Sequence, residues 1–169
     1  MNKIAVFGKP GSGKSTLSKA LAAATGIPFH PLDLLQYQQN GQPVERAIFD
    51  KAHAAILAND RWIIDGLGPM ALFKQRLEAA DTLIYIDLPY ASSYWFVTKR
   101  GLKSVFVKPE GWPEGCSVIK GTLQSYKTLK RCPAFWNEAF TQRIEALGAE
   151  KTVHIIRSVD ALNRFTLNQ

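Results

Sequence analysis

The chain has 169 residues, 46% hydrophobic and 21% charged, a balance that fits one folded domain and excludes a disordered chain. No run approaches the ~20 apolar residues of a membrane-spanning helix, and Met1-Asn2-Lys3-Ile4 leads straight into a strand pattern with no signal-like segment. A cytoplasmic protein without membrane contacts is the expectation. The net charge of +7 is unevenly placed, because Lys99, Arg100, Lys103, Lys108, Lys120, Lys127, Lys130 and Arg131 share one segment opposed only by Glu110 and Glu114. Concentrated positive charge suits polyanions, either nucleotides or nucleic acid.

Lys3-Ile4-Ala5-Val6-Phe7 is a short apolar run suited to a buried parallel strand. Gly8-Lys9-Pro10-Gly11-Ser12-Gly13-Lys14-Ser15 follows and reads G-x-x-x-x-G-K-S, the phosphate-cradling loop of P-loop NTPases. Glycines let the backbone close around an anion, successive N–H groups point inward, and the next helix adds its positive end. Gly8, Pro10, Gly11, Ser12, Gly13, Lys14, Ser15 and Thr16 are therefore the expected nucleotide-binding residues, with Lys14 reaching the β/γ-phosphates and Ser15 placed to ligate Mg²⁺. Leu17, Ala20, Leu21 and Ala24 give the following helix an apolar face, and Gly26 ends it.

Ile27 to Asp33 reads as a short strand that turns to loop at its prolines, with Asp33 just beyond it. After a turn at Asn40-Gly41-Gln42-Pro43, Val44, Ala47, Ile48, Ala52, Ala55 and Ile56 mark a helix face. Arg61-Trp62-Ile63-Ile64-Asp65-Gly66 is a third strand with an acid at its end, and Leu72, Phe73, Leu77 and Ala80 suggest a helix of about 10 residues. Thr82 to Asp87 is a fourth strand, closed by Leu88-Pro89, and a helix follows to about Arg100. Residues 101–116, punctuated by Gly101, Pro109, Gly111, Pro113 and Gly115, read as a lid over the nucleotide site or an ordinary surface connection. A helix from Val118 to Lys130 carries Lys120, Lys127 and Arg131 on one stripe. Phe135, Trp136, Ala139, Phe140, Ile144 and Leu147 give an amphipathic helix ended by Gly148, and Thr152 to Ile156 a last strand. Trp95, Phe96, Phe135, Trp136 and Phe140 read as core. Cys116 and Cys132 lack metal spacing and read as free thiols. Five strands alternating with helices imply a three-layer α/β fold whose ligands bind beyond the strand C-termini, so Asp33, Asp65 and Asp87 should share the edge of the phosphate loop.

On Gly8 to Thr16, Asp65-Gly66, Ile86-Asp87-Leu88-Pro89 and Lys99-Arg100, the chain resembles the nucleoside monophosphate kinase branch of P-loop proteins, broadly the adenylate kinases. On His30-Pro31-Leu32-Asp33, Trp62-Ile63-Ile64-Asp65-Gly66 and Glu114-Gly115-Cys116 it is more closely similar to the FlaR-type proteins described as DNA topology modulation proteins. The resemblance implies a five-stranded parallel sheet of order 2-3-1-4-5, ATP with Mg²⁺, and an adenylate kinase-like phosphotransferase acting on a small-molecule acceptor, nucleotide or nucleoside. Adenylate kinases continue Asp-Gly-Phe-Pro-Arg where this chain has Asp65-Gly66-Leu67-Gly68-Pro69, so the arginine for an acceptor phosphate is missing there; Arg76, on the next helix, is a substitute by position only.

Roles follow by chemistry. Lys14 and Mg²⁺ on Ser15 neutralise phosphate charge, with Asp65 as a Mg²⁺ contact or a turn-stabilising carboxylate. Asp33 is a base or substrate contact, or a loop hydrogen bond. Arg100 resembles the arginine that stacks on the nucleotide base, and Lys103, Lys127 and Arg131 are cations for the transition state or a solvated basic face. The alternative function is a nucleic-acid-associated ATPase that uses segment 99–131. Monomer and dimer both remain open.

Overall fold

The structure, a computed structural model, describes residues 1–38, 42–104 and 118–167. Five strands, β1 Lys3–Gly8, β2 Phe29–Pro31, β3 Trp62–Asp65, β4 Thr82–Ile86 and β5 Thr152–Ile156, form one sheet of order β2-β3-β1-β4-β5. Every pairing is parallel, and central β1 sets Ile4 against Ile63 on one side and Thr82 on the other. Strands covered on both faces must be apolar throughout, which is why they read as continuous hydrophobic runs. Ile4 and Val6 pack with Leu17, Leu21, Ile84, Ile86 and Leu162 on one face, where helices α1 (Lys14–Thr25) and α8 (Val159–Leu167) lie. Ala5 and Phe7 pack on the other face with side chains from α3 (Arg46–Leu57), α4 (Met70–Ala79), α5 (Tyr90–Lys103), α6 (Val118–Arg131) and α7 (Glu138–Ala146). This is the three-layer P-loop fold with the expected strand order. Among the described residues no helix is long and apolar enough to cross a membrane.

Several local expectations are corrected. A five-residue helix, α2 (Leu32–Gln36), follows β2 directly, so Asp33 sits in a helical first turn rather than a loop. Helix α3 buries Phe49, His53 and Ile56, while Ile48 is exposed, because the face that carries the phenylalanine is the one that packs toward the core beside α2 and α4. Trp95 is 62% exposed and lies outside the core that holds Trp136 and Phe140. Helix α7 starts at Glu138, three residues after Phe135, because the Asn137 side chain caps it by accepting from Phe140 N at 3.0 Å. Gly148 falls inside a 3₁₀ turn, Leu147–Ala149, that continues α7. Gly101 to Lys103 extend α5, and most of the expected lid, 105–116, lies outside the described residues, as does Cys116. Cys132 is buried and free. Gly26 ends α1 as expected, with φ 65° and its N–H on Ala22 O.

Candidate active site

The loop between β1 and α1 is shaped by residues that lack a side chain. Gly8 has φ 150°, and a Cβ there would stand 2.3 Å from Ile86 O. Gly11 has φ 73°, and a Cβ would stand 2.6 Å from Ser93 O on α5. Neither position admits another residue without moving backbone. The Ser12 N–H closes the turn on Lys9 O at 3.2 Å, and Gly13 is the N-cap of α1. The first-turn N–H groups of Lys14, Ser15 and Thr16 have no acceptor within the helix ladder, which makes the loop an anion cradle. The buried Ser12 Oγ has no hydrogen-bond partner among the described residues. Pro10 is half-buried and Thr16 exposed.

Lys14 Nζ donates to Lys9 O at 2.9 Å. Burial pushes its pKa down; Asp65 and Asp33 act against this, and Arg100 adds to it. Asp65, Asp33 and Arg100, from three further elements, thus lie within electrostatic reach of Lys14. Asp65, the last residue of β3, is buried and accepts from Ser15 Oγ at 2.7 Å. Burial holds its carboxyl above the usual range, opposed by the Ser15 hydrogen bond and Lys14. A hydroxyl and a carboxylate in contact are hard oxygen donors, and Mg²⁺ characteristically takes one or two protein oxygens plus phosphates and water. The Ser15–Asp65 couple fits that group.

Asp33 is exposed in the first turn of α2, and its charge acts on Lys14, Asp65 and Arg100. Arg100 Nη2 donates to Ser125 Oγ at 2.9 Å, which joins α5 to α6. Arg131 ends α6, exposed beside Cys132, whose buried thiol is within electrostatic reach of Lys9 and Lys14. Beyond α2 lies a cavity of about 200 Å³ lined by Gln36, Tyr37, Val44, Arg46, Phe49 and Pro69, among others.

Two features escaped the sequence reading. Asp87 neither caps α5 nor joins the Asp65 couple; it is ion-paired with Lys9, the second residue of the loop. Arg76 is 1% exposed and donates to Gly66 O at 3.1 Å and Leu67 O at 2.5 Å, with burial lowering its pKa to about 10. It braces the loop after β3. Its spacing from Phe73 and Ala80 already put it on a buried face, against the expectation for a charge.

No protein-family model and no curated protein matches the chain. Among solved structures it is similar to an unliganded sugar kinase from Janibacter sp. HTCC2649, at 17% identity and TM-score 0.49, over 98% of this chain and 90% of that one. It is also similar to shikimate kinase from Acinetobacter baumannii in complex with shikimate, at 19% identity and TM-score 0.46, over 78% and 79%.

Proposed function

We propose that the chain is an ATP-dependent phosphotransferase that phosphorylates a hydroxyl group of a small molecule. The observation that carries this reading is the convergence of Lys14, the Ser15–Asp65 couple and Asp33 at the C-terminal edge of the sheet, beside an anion cradle. The loop holds the donor phosphates and Lys14 neutralises charge on them. Ser15 and Asp65 would hold Mg²⁺, which when bound would add further neutralisation of the phosphate charge. Asp33 accepts the proton of the acceptor hydroxyl as its oxygen bonds to the γ-phosphorus, and the bond from that phosphorus to the leaving ADP oxygen breaks. Arg100 and Arg131 supply cations on the α5–α6 side.

An acceptor phosphate is disfavoured on physical grounds. Asp33 places a negative charge where it would repel a second phosphate, and the loop after Asp65 carries no cation. Arg76, the positional substitute, is engaged with two carbonyls. Gln36 lies one turn from Asp33 and lines the neighbouring cavity, whose wall of Tyr37, Val44, Phe49 and Pro69 suits an acceptor with an apolar ring face.

The test is ADP release from ATP·Mg²⁺ across a panel of nucleosides, sugars, polyols and nucleoside monophosphates. A hydroxyl compound should stimulate it. Lys14→Ala should lower the stimulated rate by about 10³-fold or more, and Asp33→Asn by about 10²- to 10⁴-fold with ATP binding retained. Stimulation by monophosphates alone, indifferent to Asp33→Asn, refutes the hydroxyl acceptor.

A further inference from the structure

The loop carries two lysines, and the phosphate cradle accounts for only Lys14. Lys9 is 2% exposed. Its ammonium is ion-paired with the Asp87 carboxylate and stands 4.8 Å from the centroid of the Tyr90 ring, at the start of α5. Asp87 is held at the end of β4 by its own N–H, which donates to Ile156 O at 2.8 Å. The same residue's carbonyl, Lys9 O, accepts from Lys14 Nζ. Cys132 feels both ammonium groups, so the two cations flank one buried patch. A brace of this kind needs no charge: in a buried position a hydrophobic pair of similar volume commonly serves stability as well or better. A full cation beside an anion cradle, cancelled by the Asp87 carboxylate, has an electrostatic consequence instead.

We infer that Asp87 is an affinity-setting residue: by neutralising Lys9 it lowers the positive potential of the cradle and keeps nucleotide phosphates from binding too tightly to leave. A cradle with two uncompensated lysines would hold a diphosphate product, and product release limits many turnovers. One charge added or removed beside a partly buried anion site changes the affinity of a polyanion by about tenfold or more. The inference rests on the nucleotide half of the proposed function and not on the acceptor.

The experiment measures ADP and ATP binding by calorimetry, with adenosine as a phosphate-free control and circular dichroism to confirm folding. Asp87→Asn exposes the Lys9 charge and should tighten ADP by about tenfold. Lys9→Met leaves the Asp87 charge beside the loop and should weaken ADP by a similar factor. Adenosine binding should change in neither. The double variant Lys9→Met/Asp87→Asn carries no charge and should bind ADP within about threefold of wild type; it keeps the test decisive if a single variant is unstable. A purely structural pair makes different demands: both single variants weaken ADP, or the double loses more than tenfold. Either result overturns the inference. Wild-type protein that binds neither ADP nor ATP overturns the proposed function with it, whereas a failed acceptor panel with intact ADP binding overturns the kinase reading alone.

Discussion

His53 shows how a single residue ties burial to stability. It is fully buried on α3, and among the described residues neither ring nitrogen has a hydrogen-bond partner. Burial, and then the charge of Arg76, lowers its pKa to about 4, with Asp50 opposing. The unfolded chain binds a proton near pH 6.5, the folded one only near 4, so stability is full above 6.5 and falls as pH drops through that window. At 1.36 kcal/mol per unit, the loss approaches about 3 kcal/mol. Urea unfolding at pH 7 and 4.5 should show wild type losing about 2 kcal/mol more than His53→Phe. Equal losses would rule out a neutral buried imidazole. At this same scale the site was only half readable in advance. Ser15 and Asp65 were legible because motif and strand end fix their positions. Lys9 was not, because nothing in a sequence says that a lysine in a loop turns inward to an acid 78 residues away.

Elements were legible where their patterns were set locally and misread where packing or a cap decided. Periodicity placed α4 correctly, and it found α3 but assigned the wrong face. Helix propensity is weak beside the packing of one aromatic side chain, and Phe49 lay one position from the face read off the alanines. Helix α7 teaches the complementary lesson. Its apolar spacing extends back to Phe135, but the Asn137 side chain takes the Phe140 N–H and starts the helix at Glu138. Asn137→Ala should therefore cost about 1 kcal/mol, and Asn137→Ser or Asn137→Asp should restore most of it. The measurement is the shift in urea midpoint at constant slope. If alanine matches wild type, Phe135 and Trp136 anchor the helix by packing alone and the cap is incidental.

For the whole molecule, charge decides between the two functional readings. The sheet brings Asp33, Asp65, Lys14 and Asp87 to one edge through four different strand ends, as the alternation of strands and helices implies. Part of the basic excess runs along α6, where Lys127 and Lys130 are exposed in addition to Arg131. A surface of that kind attracts any polyanion by counterion release, so some nucleic-acid binding at low salt follows from charge alone. Each phosphate neutralised contributes about 0.9 to the slope of log affinity against log salt, so Lys127→Gln/Lys130→Gln should reduce that slope by up to about two. It should leave ATP affinity within about threefold of wild type, because both lysines are solvent-exposed and their charge is screened. ADP release measured with and without duplex DNA or RNA separates the readings. Turnover indifferent to nucleic acid fits a kinase with a basic flank. Turnover raised by nucleic acid, and returned to baseline by the same two substitutions, makes the flank part of the machine. The chain is then a nucleic-acid-dependent ATPase whose Asp33 has no hydroxyl to deprotonate.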